Sequence, residues 1–529
     1  MSLTDETPAL EQLHAYHQLT KHRFDGYAPG PQTLDWDDQP NVFRHFEGAP
    51  RITLPLERAE QVLDAKIPAS AIHSGRLAPQ PLSIDTLSCF LRYAAGLTAW
   101  KVFGPDRWSQ RTNPSSGNLH PSELYLVLPA CADWDAGIYH YDVHDHALEQ
   151  RLALAADQVS GVSLILTSVL QREAWKYGER GLRYCLLDSG HLLAQCQVAA
   201  ALLGWQWATV RTDHTQIAAL AGIARPEFAG VEPEYPELLL SLNGADVDYV
   251  TLAELCSESD LWQGQPSKLG PRPLERWREC EAVINSFTES PAITLAESPS
   301  LEIAVQSGAC NAIDTIMQRR SAQAYDHQYV LSTEQIGRLL HPLMPGQSRL
   351  QTTDPRLHLL LFVHNVESLE PGLYLLPRTT QAADSLVSAA SKWPEGRRVE
   401  FAGLELVHLK TANTRKAAAQ LCCNQMIAAA SSMTLMMLAE YDSALAAGGS
   451  NAYQQLFYEA GILGQSLYLS ASAQGLNGTG IGCFFDDGVH ELLGLKDQSY
   501  QAVYGFAVGA GKHDDRIAGL SGYHHLHKE

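Results

Sequence analysis

The sequence predicts an α+β fold that occurs twice in one chain. Three observations carry this: a length of 529 residues, a composition that is 45% apolar and 18% charged, and a set of matching segments that recurs in the same order in both halves. At roughly 100–200 residues per domain, this length is too great for a single domain. The apolar share is ample for sizeable cores, and 39 Gly with 27 Pro are too few for a collagenous or disordered chain. Lys and Arg number 38 against 59 Asp and Glu, for a net charge of −21. A nucleic-acid binder would need a basic stripe to neutralise phosphates, so this class is excluded, and small or uncharged ligands are favoured.

The matching segments run as follows. LSIDTLSCFLRYAAGL from Leu82 answers LSTEQIGRLLHPL from Leu331, each with a Ser or Thr cap and an early acid ahead of a helical apolar pattern. Strand-like runs come next, SELYLVLP from Ser122 and RLHLLLFVHN from Arg356. GIYHY from Gly137 then answers GLYLL from Gly372. The fourth match is an Ala/Leu-rich helix in each half. One holds Asp188, Gly190 and Gly204 and the other Glu459, Gly461 and Gly475, so the acid precedes the first glycine by two and the glycines lie 14 apart in both. Last, PELLLSLNGA from Pro236 answers YQAVYGFAVGA from Tyr500. Five matches in one order are the signature of a duplication. The near-continuous apolar character of the two central helices predicts burial on all sides.

The division expected from these patterns is an N-terminal arm, 1–74, irregular and proline-bearing; a first domain, 75–255; a connector with one helix in LERWRECEAVINSF, 256–304; and a second domain, 305–529. Two fused copies can bury against each other the face that a two-fold dimer would share, so the expected state is a monomer that is its own pseudo-dimer, with higher oligomers left open. The start, MSLTDETPALEQ, lacks the basic and apolar regions of a signal peptide. No apolar stretch reaches membrane-spanning length. Ten scattered cysteines without a C-x-x-C pair read as buried, reduced thiols. The expectation is a cytoplasmic protein with no membrane and no nucleic-acid partner.

The copies diverge where chemistry could sit. Copy 1 carries RTNPSSGNLHPSELYLV, from Arg111 to Val127, a turn rich in hydroxyl and amide donors that can be aimed at an electron-rich heterocycle. By itself the same stretch also reads as an ordinary surface turn. Copy 2 has MPGQSRLQTTDPR there, and instead carries Gln318, Arg319, Arg320 and Ser321, two guanidinium groups and a hydroxyl at one point, which can clasp a phosphate or form an exposed charged turn. After its central helix copy 2 reads GLNGTGIGCFFDD, whose glycines permit close backbone approach to a flat ligand. It is not a dinucleotide fingerprint, because Cys483 stands where the last glycine of G-x-G-x-x-G would be. The cluster YHYDVHDH (His140, Asp142, His144, Asp145, His146) reads as strand, tight turn and strand rather than as a metal centre, and the YHHLHKE tail as a loose terminus; no metal is expected.

RRSAQAYD, LSTEQIGRLL and GLNGTGIGCFFDDGVHELLGL with YGFAVG resemble the flavin-dependent nitroreductase superfamily. RTNPSSGNLHPSELYLV, GIYHYDVHDHAL and WKYGERGLRYCLLDSGHLLAQ resemble its SagB-type branch, the dehydrogenases that oxidise azolines to azoles in ribosomally made peptides. The resemblance covers some 400 residues. It implies a mixed sheet with helices, in a dimeric or pseudo-dimeric arrangement, with FMN held between the halves. Carried onto this chain, it assigns Arg111, Pro114, Ser115, Ser116 and Asn118 of copy 1 to the flavin. From copy 2 it assigns Arg319, Arg320 and Ser321 to the phosphate and the backbone of Gly480, Ile481, Gly482 and Cys483 to the reactive flavin nitrogen. Because each copy lacks the other's pieces, one composite site is expected. The Lys176–Tyr177 pair resembles the Lys-Tyr pair given a proton-abstracting role in azoline oxidases. Dehydrogenation needs a base while hydride goes to the flavin, and a partly desolvated lysine suits that task.

The sequence thus points to an FMN-dependent oxidoreductase acting on a small or peptide-borne heterocycle, with Lys176 as base and Tyr177 orienting it or relaying the proton. Two alternatives stand beside it: a reductase that takes hydride from NAD(P)H for a nitro compound or quinone, and a non-catalytic flavin-binding protein.

Overall fold

The computed structural model describes residues 3–75, 77–272, 275–291, 293–296 and 310–527. It divides into two compact units. The first comprises Pro29–Ala65, Arg76–Thr294 and Arg516–Glu529, and the second Met1–Ala28, Lys66–Gly75 and Leu295–Asp515. The expected start of the second domain at 305 lies outside the described residues.

Each unit is built on a seven-stranded sheet. In the first unit the strands run Arg51–Thr53, Ala147–Ala153, Gly137–Asp142, Ser122–Leu128, Ser163–Ser168, Tyr235–Leu242, Trp207–Val210 across the sheet. In the second they run Arg397–Phe401, Leu404–Thr411, Gly372–Leu376, Leu357–Val363, Met433–Glu440, Tyr500–Gly509, Asn477–Ile481. Six of the seven positions are filled in the same chain order in both. The exception is the first edge, which comes from the N-terminal arm in one unit and from a hairpin partner in the other. Every strand pair described in these two sheets is antiparallel, where the resemblance implied a mixed sheet.

The middle strands are apolar on both faces because both faces are covered. All residues of Ser122–Leu128 and Leu357–Val363 are buried. A central helix lies in each unit. Gly181–Leu202 is buried along its whole length, and Tyr441–Ser472 is broken at Gly449, which takes a positive φ of 60°. The shorter helices Ile84–Ala94 and Thr333–Leu340 start as their sequences dictate: Ser83 and Ser332 each accept the N–H three residues on, and Thr86 and Gln335 bond back to the cap N–H.

Of three further segments, two differ from expectation. The arm is not irregular throughout, since Leu3–Leu19 is a helix. The connector holds the expected helix as Arg278–Ile284. The C-terminal tail is packed rather than loose. Tyr523 is 3% exposed, accepts the Leu97 N–H at 3.1 Å and lies under the Arg92 guanidinium, and Ala518–Ser521 pairs with Leu97–Phe103.

Candidate functional site

In the first unit the Pro-Ser turn is held from below by one buried acid. The Ser116 N–H donates to both Asp188 oxygens at 3.2 Å, and the Ser116 hydroxyl donates to Oδ1 at 3.2 Å. Ser115 Oγ accepts the His120 N–H at 2.7 Å. Asn118, at φ +61°, donates to the Ser109 carbonyl through Nδ2 and accepts from Gln110 Nε2 at Oδ1. Pro114 precedes this network and is buried. Arg111 is buried beside it, donating to the Val42 carbonyl at 2.6 Å and stacking over Phe43 at 5.4 Å. Burial draws its guanidinium down to about 10, against the raising charge of Glu123. The donors of this loop are therefore largely spent on fixing its shape.

That shape brings the loop to the lysine. Gly117 takes φ +59°, and a Cβ placed on it would lie 2.8 Å from the Tyr177 hydroxyl and 3.2 Å from Lys176 Nζ. Lys176 and Tyr177 are half-buried and end the helix Leu170–Tyr177. Gly178 follows at φ +57°, packed so closely on Pro29 and Gly30 that only glycine fits, and the Glu179 N–H is bonded to the Pro29 carbonyl at 2.9 Å. The Tyr177 ring lies against Tyr184, centroids 4.2 Å apart. Two sequence-predicted groups, the Pro-Ser turn and the Lys-Tyr pair, thus come together in this unit.

In the second unit the other two predicted pieces meet. Ser321 bridges to Gly478, the Ala322 N–H donates to the Gly478 carbonyl at 3.0 Å, and Thr479 Oγ1 donates to the Ala322 carbonyl at 2.9 Å. Tyr468 of the central helix joins them: its hydroxyl shares a 2.8 Å hydrogen bond with Ser321 Oγ and accepts the Gly480 N–H at 2.8 Å, while the Arg319 guanidinium stacks on its ring at 5.2 Å. The bare faces of Gly478 and Gly480 are filled by Phe506 and Tyr504 respectively. Ile481 is a core residue, Gly482 follows it, and Cys483 is half-buried with its carbonyl accepting from Gln425. Sequence reasoning missed Tyr468. Nothing marks one tyrosine in an apolar helix until the strand is folded against it.

Arg319 and Arg320 are the chemically telling pair. Arg319 is 3% exposed, and burial lowers its guanidinium to about 10, with the Arg320 charge acting in the same direction. Burial also lowers Arg320, which donates only to the carbonyls of Met317 and Arg319 and has no carboxylate partner among the described residues. A desolvated guanidinium without an acid is costly, and a bound anion removes that cost. These residues fit the phosphate of a flavin mononucleotide.

The histidine-aspartate cluster of the first unit disperses into separate ion pairs. His140 lies between Glu123 at 3.1 Å and Glu149 at 2.9 Å. Arg51 spans Asp142, Asp145 and Glu149. His146 is hydrogen-bonded to Ser88 and Tyr141. His144, Asp145 and His525 do come within ligand distance of one another, but Asp145 is already engaged by His144 at 2.6 Å and by Arg51 at 2.9 Å.

Comparison with known proteins bears on the family and the fold. The nitroreductase family model matches residues 316–510. The trifolitoxin-processing protein TfxB of Rhizobium leguminosarum bv. trifolii is 28% identical over 185 residues, 31% of this chain and 50% of TfxB. A protein of Methanocaldococcus jannaschii assigned to the nitroreductases is 28% identical over 137 residues, 23% of this chain and 66% of that one. The chain thus spans about half the length of the first relative and under two thirds of the second. A crystal structure from Anabaena variabilis, also assigned to the nitroreductases, superposes with a TM-score of 0.68 at 22% identity, over 95% of this chain and 99% of its own. No described helix is long and apolar enough to cross a membrane. Residues 316–510 are therefore a nitroreductase family domain, and the chain as a whole carries the nitroreductase fold twice.

Proposed function

We propose that the chain is an FMN-dependent oxidoreductase that dehydrogenates a small or peptide-borne heterocycle of the azoline type. The observation that carries the flavin is the buried Arg319–Arg320 pair, two neighbouring cations of which Arg320 has no acid partner among the described residues. When bound, FMN supplies the two-electron acceptor. Arg319, Arg320 and Ser321 hold its phosphate, and the backbone from Ile481 to Cys483 lines its ring.

The dehydrogenase reading rests on the Lys176–Tyr177 pair packed on Gly117, on the resemblance of the copy 1 motifs to azoline oxidases, and on the similarity to a trifolitoxin-processing protein. Lys176 Nζ takes the proton from the substrate carbon, and the Tyr177 hydroxyl, on the same side of the turn, orients the amine. The test is anaerobic mixing of the flavin-loaded protein with an azoline peptide and, separately, with NAD(P)H. Bleaching by the azoline supports the proposal. Rapid bleaching by NAD(P)H without any azoline replaces it with the nitro or quinone reductase reading, and failure to take up FMN at all replaces it with a non-catalytic scaffold.

A further inference from the structure

Directly behind the Pro-Ser turn lie two acids that the proposed chemistry has not yet used. Glu173 is 0% exposed and sits one helical turn before Lys176, on the same face of Leu170–Tyr177. Asp188, 2% exposed, belongs to the buried helix Gly181–Leu202 and holds Ser116 by three hydrogen bonds. Glu173 faces the Asp188 carboxyl and the Ser115 hydroxyl. As a carboxylate neither of its oxygens finds a donor in good geometry. Two carboxylates cannot hydrogen-bond each other, but one proton shared between them supplies the missing donor.

The second copy shows how unusual this arrangement is. Glu459, which matches Asp188 in the repeat, is paired with the buried Arg378 guanidinium and accepts the Arg356 N–H at 2.9 Å. A buried acid at this place therefore meets a guanidinium in one copy and a second acid in the other. Burial pushes Asp188 up to about 7 against the hydrogen bonds of Ser115 and Ser116. It pushes Glu173 well above the carboxylate range, with the Asp188 charge adding to the effect and Lys176 opposing it. Among the described residues, Cys185 adjoins the pair, with Glu237 and Cys280 around that thiol, and Arg111 and His120 line the same cavity as Asp188.

We propose that Glu173 and Asp188 share one proton and that the resulting singly charged pair is the anionic partner of the Lys176 amine as it takes up a proton. A singly charged pair gives the ammonium formed at Lys176 a counter-charge without setting two carboxylates side by side. During the reaction one proton passes from the substrate carbon to Lys176 Nζ, the hydride equivalent leaves to the flavin, and the pair keeps both its proton and its charge. Glu173 and Asp188 are positioning residues, and this role rests on the proposed reading of Lys176 as base.

The experiment begins with the full chain without substrate. Infrared spectra across pH 5–9 should show a protonated carboxyl at neutral pH that ionises on raising the pH. Glu173→Gln, whose amide can donate to Asp188, should abolish it. Burial raises the folded value of Asp188 from 3.8 to about 7, so its stabilising contribution is complete below 3.8 and is lost as pH rises through about 7. The melting temperature of the native protein should therefore fall over that window relative to Glu173→Gln. No protonated carboxyl, or the same band in Glu173→Gln, overturns the shared proton. These readings do not depend on turnover, so they stand or fall separately from the dehydrogenase proposal. With an azoline peptide, Asp188→Asn should lower kcat about tenfold, the size of a one-unit change in proton affinity, and move its pH profile while KM stays unchanged. An Asp188→Asn profile that superposes on the native one overturns the link to Lys176.

Discussion

Gly117 and Tyr177 approach so closely that one missing methyl group decides whether the loop can lie against the Lys176–Tyr177 pair: a Cβ on Gly117 would lie 2.8 Å from the tyrosine hydroxyl. The backbone there is also left-handed, at φ +59°. Gly117→Ala therefore meets both strain and a clash. It should destabilise the chain by about 1–3 kcal/mol and displace the Lys176–Tyr177 pair. Thermal unfolding and azoline turnover, measured on the same preparation, should both fall, with bound flavin retained.

Lys176→Ala should keep the flavin and the fold, because the side chain is only half-buried. Its turnover should drop by about 10²–10⁴-fold, the usual share of a positioned base. Full turnover in this variant, with flavin still bound, removes the base assignment.

Arg320→Ala should empty the flavin site. Among the described residues its guanidinium bonds only to local carbonyls, so the apoprotein should melt at an unchanged temperature, or a slightly higher one as a desolvated charge is removed. FMN titration followed by fluorescence quenching checks this. Unchanged affinity would place the phosphate elsewhere.

His140 provides a pH signature unrelated to catalysis. Burial alone would lower it, but Glu123 and Glu149 on its two ring nitrogens outweigh that and raise it to about 9. Its stabilising contribution is present below the ordinary value of 6.5 and is lost as pH rises through about 9. His140→Gln should cost about 3 kcal/mol at pH 6, the scale of a broken buried ion pair. The gap between native and variant melting temperatures should narrow above pH 9.

Much of the fold was legible because duplication writes each element twice. A run such as SELYLVLP is ambiguous alone, but paired with RLHLLLFVHN in the same place it reads as one fully buried strand, which Ser122–Leu128 and Leu357–Val363 are. Elements present in only one copy had no such support. Arg51–Thr53 is three residues of edge strand, and Leu3–Leu19 carries Pro8 and many polar residues, so neither announced itself. Of the site, the Pro-Ser turn, the Lys-Tyr pair and the Arg-Arg-Ser corner were visible as clustered residue types. Asp188 appeared only as a repeat marker, and Glu173 not at all. The two acids are fifteen positions apart on different helices, and their chemistry arises from packing rather than spacing.

The central claim is that the chain holds one FMN, with its phosphate on Arg319, Arg320 and Ser321. Its most direct test is the absorbance spectrum and flavin content of the purified chain after loading with FMN. One flavin per chain, with the yellow flavin band and with binding lost in Arg320→Ala, is the expected result. No flavin, or two per chain, would contradict it.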